Sequence, residues 1–167
     1  MSRFFVAIEV PLELRKKIYK ELVKPLAKLK PVKEENLHIT LCFIGEANEA
    51  QVSEKLKDIN FEPFRARLHE IGEFDKRVAW LGVQAEEAEK LADEISAKLN
   101  IKNEQGFNGH LTLARGKEGV NFYEAFAKIK NNHFDERFIV GRIILFKSEL
   151  AKEGPTHTKV KEFTAKC

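Results

Sequence analysis

Cysteine is scarce in this sequence, since only Cys42 and Cys167 occur among its 167 residues. Two cysteines exclude a disulfide-stapled scaffold and favour a reducing compartment, so we expect a cytoplasmic protein. Long apolar runs are also missing. No stretch approaches the roughly 18 apolar residues of a membrane helix, and the apolar run near the N-terminus is too short for a signal sequence. We therefore expect no association with a membrane.

Excess charge of either sign is small as well. The 29 lysines and arginines outnumber the 26 aspartates and glutamates by three, which permits a nucleic-acid partner without indicating one. Histidines and carboxylates do not cluster at metal-ligand spacing. His69, His133 and His157 stand alone and are interpreted as surface or structural residues. The sequence therefore predicts no metal site and no cofactor.

Two stretches of the chain share the pattern His-x-Thr-Leu. One begins at His38 and the other at His110, 72 residues further on. Side chains alternate between the two faces of a strand, so each histidine shares a face with its threonine, Thr40 or Thr112. The intervening apolar residues face a core. The pair of stretches predicts one site with two imidazoles and two hydroxyls.

The surroundings of the two stretches also repeat. Each follows a strand and a helix and precedes a capped helix and another strand, and the two cap residues, Asn48 and Asn121, lie 73 residues apart. We interpret the chain as one domain, 1–167, with two pseudo-symmetric lobes: repeat units of about 3–75 and 77–150 and a closing segment, 151–167. Alternating helices and strands can repeat by chance, but here motif, caps and spacing agree. Two such units would place equivalent strands on opposite walls of one cleft.

Several strand boundaries follow from the same pattern. Residues 64–74 are expected to form a strand with a bulge near Gly72. Residues 137–150 are expected to form one long strand, and residues 159–163 a last one. These boundaries define how the second repeat unit ends.

Paired imidazoles suit phosphodiester chemistry. Near neutral pH one imidazole can take a proton from the attacking oxygen and the other can give a proton to the leaving oxygen. Threonine hydroxyls can donate hydrogen bonds to the nonbridging oxygens, and no metal is required. Arg115 follows the second motif and is a candidate phosphate ligand, although a solvated arginine at a strand end explains it equally well.

Three nearby side chains have competing interpretations. Cys42 shares strand parity with Thr40, so its thiol would approach the cleft, but the second copy has Ala114 at the matching place, which disfavours a catalytic thiol. Phe43 and Phe107 could stack on a base. Core packing is the favoured interpretation of both.

The residues around the motifs resemble a known family. Paired His-x-Thr motifs in a duplicated fold are similar to the two-histidine (2H) phosphoesterases. Residues 3–8, 36–46, 109–115 and 145–150 resemble, more narrowly, the RNA 2',3'-cyclic phosphodiesterases, also called 2'-5' RNA ligase or LigT-like proteins. Cys42 departs from the pattern, because relatives often carry lysine there.

The resemblance implies a bilobal α+β fold in which two antiparallel sheets line a central cleft, with helices on the outside. It implies hydrolysis of an RNA 2',3'-cyclic phosphate to a 2'-phosphomonoester, with His38 as proton donor and His110 as proton acceptor. Symmetry alone leaves these two roles exchangeable. Thr40 and Thr112 would bind the phosphate. The same site run backward would join RNA ends through a 2'-5' linkage without a nucleotide cofactor.

The expected partner is therefore RNA with a 2',3'-cyclic phosphate end, tRNA halves being one candidate, and the expected state is a monomer. Two other functions stay open. One is a 2H phosphodiesterase acting on small cyclic nucleotides or 2'-5' oligoadenylates. The other is a non-catalytic module that binds RNA ends, although binding alone needs no pair of proton carriers.

Overall fold

The structure is a computed structural model that describes residues 2–102 and 107–166. Within these described residues, nine strands and four α-helices form an α+β fold, as expected. The strands are β1 (Ser2–Glu9), β2 (Lys30–Pro31), β3 (His38–Ala47), β4 (Phe64–Phe74), β5 (Val78–Gln84), β6 (His110–Arg115), β7 (Asp135–Val140), β8 (Arg142–Ala151) and β9 (Gly154–Thr164). The helices are α1 (Leu12–Ile18), α2 (Glu49–Leu56), α3 (Glu86–Lys98) and α4 (Phe122–Phe126).

The strands form two antiparallel sheets. The first sheet has the order β3-β1-β8-β9 and the second has the order β2-β6-β5-β4-β7. In each sheet a central strand, β1 or β5, lies between a strand that carries a His-x-Thr stretch and a strand from the other half of the chain. We propose that this correspondence reflects the duplicated unit, with β4 of the first half paired in the second sheet and β8 of the second half paired in the first.

The predicted long strand over residues 137–150 is wrong. The chain forms two strands that meet at Gly141: β7 pairs with β4 in the second sheet, whereas β8 pairs with β1 in the first. Only Gly141 and Arg142 separate two apolar stretches, 138–140 and 143–146, and so short an interruption is also compatible with one strand. Hydrophobic periodicity therefore could not reveal that the chain changes sheets here.

The bulge in β4 lies slightly before its predicted place. The register to β5 shifts between Leu68 and Ile71, and Glu70 between them has a φ of 69°. Gly72 has a different role, because a Cβ on it would lie 2.2 Å from a ring carbon of Trp80. The indole therefore lies directly against the β4 backbone.

The main core lies between the helices and the sheets and draws on both halves of the chain. Helix α3 illustrates how the sequence builds it: Ala88, Leu91 and Ile95 recur on one face and are buried, whereas its glutamates and lysines face outward. The first sheet is also apolar on its opposite face. There a second, small cluster forms between β1 and β8, composed of Phe5, Ala7, Ile144 and Phe146.

Both predicted helix caps are confirmed. The Asn48 side chain accepts a hydrogen bond from the backbone N–H of Gln51, and the Asn121 side chain accepts one from Glu124. We expect Asn48→Ala to lower the free energy of unfolding by about 1 kcal/mol, because a helical N–H loses its acceptor. Urea denaturation measures this change. Asn131→Ala, at an exposed turn, is the matched control and should change stability by less than about 0.5 kcal/mol.

Candidate active site

The two His-x-Thr stretches lie where the two sheets approach each other. Strand β3 forms an edge of the first sheet and β6 lies one strand from an edge of the second, with their Cα atoms within 8 Å in places. His38, Thr40, His110 and Thr112 are all partly exposed, and the leucine or isoleucine after each of them is buried. The structure thus brings together the four residues that the motif predicted.

A β-bulge follows Thr40 and decides where Cys42 points. Thr40 pairs with Ala7 of β1 and Cys42 pairs with the next residue, Val6, so Leu41 is the extra residue of the bulge. Cys42 is consequently buried on the core side, where its sulfur accepts a hydrogen bond of 3.7 Å from Ser96. Burial raises the pKa of the Cys42 thiol, which keeps it in the unreactive protonated form. The expectation that Cys42 approaches the cleft is therefore wrong.

An equivalent bulge follows Thr112. The register to β5 skips Leu113, whose carbonyl accepts a hydrogen bond from Val32 at 3.0 Å. Ala114 becomes buried, and Arg115 is exposed on the same side of the strand as Thr112. Simple alternation would have put Arg115 on the core face. The bulge therefore keeps Arg115 a candidate phosphate ligand.

The two phenylalanines near the motifs differ from each other. Phe43 occupies the place in β3 that Arg115 occupies in β6, and its side chain is 64% exposed. Phe107 is partly buried against the main core. Core packing was therefore the wrong interpretation for Phe43, because the bulge at Leu41 reverses its direction.

Both ring nitrogens of His38 form hydrogen bonds within the protein. Its Nδ1 lies 2.6 Å from the carbonyl oxygen of Asn36, and its Nε2 lies 3.1 Å from the hydroxyl of Thr40. A carbonyl can only accept, so Nδ1 carries the proton. In the neutral ring the Thr40 hydroxyl then donates to Nε2. Nε2 is therefore the ring nitrogen of His38 that can gain or lose a proton.

His110 is oriented in the same way. Its Nδ1 donates a hydrogen bond of 2.9 Å to the carbonyl oxygen of Asn108. Among the described residues no side chain or backbone group bonds its Nε2. The acceptor residues, Asn36 and Asn108, both stand two positions before a histidine, so the repeated pattern is Asn-x-His-x-Thr. That longer pattern was visible in the sequence.

An aromatic cluster surrounds His38. The His38 ring lies 4.9 Å from the ring centre of Phe5 and 6.3 Å from that of Phe146. His157 of β9 completes the cluster, 5.4 Å from His38 and perpendicular to it. The Asn36 side chain donates to the carbonyl of Pro155 at 3.0 Å, which fixes β9 beside the site. His157, which the sequence analysis interpreted only as a surface or structural residue, is therefore a neighbour of His38.

This enclosure changes the acid–base behaviour of His38. The pKa of His38 is lowered to about 4, chiefly by burial and to a smaller extent by the nearby His157 and His110 imidazoles, whereas the hydrogen bond to the carbonyl of Asn36 raises it. Burial also lowers the pKa of His157. In the free protein at neutral pH His38 is therefore an uncharged ring.

Comparison with known proteins places these residues in a family. Residues 11–152 match the model of the 2'-5' RNA ligase superfamily. The chain belongs to the 2'-5' RNA ligase superfamily. Within it, the chain is 33% identical to the RNA 2',3'-cyclic phosphodiesterase of Archaeoglobus fulgidus, over 96% of this chain and 99% of that protein. It is 36% identical to the enzyme of the same name from Aeropyrum pernix, over 82% of this chain and 86% of that one.

Solved structures of the superfamily share the fold. LigT of Escherichia coli, complexed with ATP, superimposes with a TM-score of 0.80 at 26% identity, covering 98% of each chain. A protein of Thermus thermophilus superimposes with a TM-score of 0.79 at 29% identity, covering 97% of each chain. This chain thus shares its overall fold with both solved structures.

Two further observations concern metal-binding groups and membrane-spanning helices in the described residues. Across residues 2–102 and 107–166, no three His, Cys, Asp or Glu side chains are grouped so as to bind a metal ion. In the same residues no helix is long and apolar enough to cross a membrane.

The enclosure of His38 predicts a measurable pH dependence. Folding lowers its pKa from 6.5 to about 4, so the unfolded chain binds more protons between these values and stability falls as pH falls through that window. We expect a loss on the order of 3 kcal/mol by pH 4. Histidine NMR signals should show His38 titrating near pH 4. His38→Gln, which cannot titrate, should lose less stability than the wild type over the same range.

Proposed function

We propose that this chain hydrolyses RNA 2',3'-cyclic phosphate ends to 2'-phosphomonoesters. One observation carries the proposal: two imidazoles, each hydrogen bonded through Nδ1 to a backbone carbonyl, lie where the two sheets approach each other. Each of these histidines stands two residues before a threonine. Such a pair covers both proton transfers of an in-line displacement. Relatives that align with nearly the whole chain carry the name RNA 2',3'-cyclic phosphodiesterase.

In the proposed reaction His110 is the base. Its Nε2 takes a proton from water while the water oxygen forms a bond to phosphorus. The bond from phosphorus to the 3' oxygen breaks, and Nε2 of His38 gives its proton to that oxygen. The product carries a 2'-phosphate and a 3'-hydroxyl. The hydrogen bonds from both Nδ1 atoms to carbonyls stabilise each ring when it is protonated.

The protonation of His38 must change when substrate binds. The free ring is uncharged at neutral pH, because burial lowers its pKa to about 4. An anionic phosphodiester beside the ring raises that pKa, since opposite charge favours the protonated form. The exchanged assignment, with His38 as base, is the second candidate, and the uncharged state of free His38 favours it.

The phosphoryl oxygens would be held by hydroxyls and a cation. Thr40 and Thr112 lie on the same strand faces as the histidines and donate to the nonbridging oxygens. The guanidinium of Arg115 is exposed on the same face as Thr112 and supplies positive charge. These groups bind charge without a metal ion. We therefore propose that hydrolysis is metal-independent.

Run in reverse, the same proton transfers join two RNA ends. A 5'-hydroxyl replaces water, and the cyclic ester supplies the bond that is exchanged, so no nucleotide cofactor is needed. We propose that the chain acts as a cytoplasmic monomer on free RNA ends, with tRNA halves as one candidate source. The low cysteine content supports the compartment.

The direct test is incubation with an oligoribonucleotide that ends in a 2',3'-cyclic phosphate. We expect a 2'-phosphate product, identified by its resistance to a 3'-phosphatase, and the same rate in EDTA. Faster turnover of cyclic mononucleotides or of 2'-5' oligoadenylates would support the other 2H activities instead. Tight binding of the RNA end without product after long incubation would support a binding module.

A further inference from the structure

A cavity of about 380 Å³ adjoins His110 on the second sheet. Its walls come from β4, β5 and the segment before β6. The Phe74 ring lies 5.3 Å from the Trp80 ring and meets the His110 ring edge-on at 5.5 Å. At its other end His69 is hydrogen bonded to Gln84 at 3.0 Å. The cavity thus combines an aromatic wall with polar groups beside one imidazole.

The position of the cavity restricts what can occupy it. His110 is one of its lining residues, and its Nδ1 bonds the carbonyl of Asn108, whereas its Nε2 has no hydrogen-bond partner among the described residues. Under the proposed function His110 takes the proton of the attacking hydroxyl. An occupant of the cavity whose hydroxyl lies at Nε2 is therefore in place for His110 to deprotonate it. A water nucleophile occupies about 30 Å³ and needs no such space.

The charge of the lining restricts the occupant further. Across residues 2–102 and 107–166, the cavity is lined by the carboxylate of Glu70 and by no lysine or arginine. A terminal phosphate needs cations or backbone N–H groups, so the lining disfavours it. Aromatic rings and hydrogen-bonding side chains suit a neutral nucleoside.

We propose that this cavity is the acceptor subsite for the 5'-terminal nucleoside of a second RNA that carries a 5'-hydroxyl. The inference rests on the proposed function. The 5'-oxygen bonds to phosphorus, its proton passes to Nε2 of His110, and the bond to the 3' oxygen breaks as that oxygen takes the proton of His38. The product is a 2'-5' phosphodiester with a free 3'-hydroxyl.

The protein offers a direct probe of this subsite, because Trp80 is its only tryptophan. Wild-type protein is titrated with a short RNA that has a 5'-hydroxyl, and with the same RNA bearing a 5'-phosphate. We expect saturable quenching of Trp80 fluorescence by the first, and at least tenfold weaker binding of the second. Equal binding of both RNAs, or no quenching at concentrations that support ligation, would overturn the subsite.

A second measurement uses partition between two nucleophiles. Wild-type protein is given a cyclic-phosphate RNA together with the 5'-hydroxyl RNA, and ligated and hydrolysed products are counted. We expect Phe74→Ala to lower the ratio of ligation to hydrolysis about tenfold, because one base loses its stacking surface. Tyr123→Ala, an exposed aromatic outside the cavity, should leave the ratio unchanged. An unchanged ratio in Phe74→Ala contradicts the inference.

Different results would overturn the acceptor subsite and the proposed hydrolysis. Hydrolysis without any ligation overturns the acceptor subsite and leaves the proposed function standing. Absence of hydrolysis overturns the proposed function, whereas Trp80 quenching by the 5'-hydroxyl RNA still tests the cavity by itself.

Discussion

Replacing either motif histidine with alanine is expected to reduce turnover of a cyclic-phosphate RNA by about 10²–10⁴-fold, because each removes one proton-transfer group. His38→Ala and His110→Ala should both keep the fold, since both side chains lie outside the main core. Single-turnover release of the 2'-phosphate measures the loss. The double variant should lose much less than the product of the two single effects, because the groups act in one step.

Two controls make this result specific. His133→Ala removes an exposed histidine in the turn before β7 and should leave turnover within about twofold, as expected for a surface substitution. A substrate with sulfur in place of the 3' oxygen has a leaving group that needs no proton. It should restore the rate of the variant that lacks the acid and not of the one that lacks the base. Restoration of His110→Ala alone would show that the proposed roles are exchanged.

The sequence predicted the elements of the site but not their local geometry. Alternation along a strand was sufficient to place His38 beside Thr40, because the two residues precede the bulge. It failed at Cys42 and Phe43, which follow the bulge. A bulge depends on how two strands pair, and neither strand's own pattern of apolar residues records it. The same limit applied to Arg115 in β6.

Contacts between distant parts of the chain also could not be predicted from the sequence. His157 stands 119 residues after His38 and has no companion at metal-ligand or motif spacing. It reaches the site only because β9 pairs with β8, which carries Phe146 into the aromatic cluster. The change of sheet at Gly141 was hidden for a related reason. Two apolar stretches separated only by Gly141 and Arg142 are compatible with one strand in one sheet or with two strands in two sheets.

The pairing of β8 with β1 and of β4 with β5 has a consequence for the site. Because β8 packs beside β1, the small apolar cluster on the first sheet draws on both halves of the chain. That cluster encloses His38 through Phe5 and Phe146. In the second sheet β4 packs beside β5 and brings Phe74 to His110. The two imidazoles therefore differ in surroundings although their strands are alike, with His38 held among aromatic rings and His110 beside an open cavity.

The threonines should show the second-largest effect. We expect Thr40→Val and Thr112→Val each to lower kcat by about 10²-fold, because each removes a hydroxyl that stabilises charge on the phosphoryl oxygens in the transition state. Valine keeps the shape and the preference for a strand, so folding should be preserved. Thr→Ser at the same positions restores the hydroxyl and should recover most of the rate.

The two threonines should nevertheless differ in one respect. The Thr40 hydroxyl is bonded to Nε2 of His38 at 3.1 Å in the free protein, so it has to turn from the imidazole to the phosphate when substrate binds. Thr112 has no such bond to His110 within the described residues. Thr40→Val should therefore shift the pH dependence of kcat/KM, whereas Thr112→Val should lower the whole profile without moving it. Equal shifts in both variants would contradict a bond between Thr40 and His38 in the free enzyme.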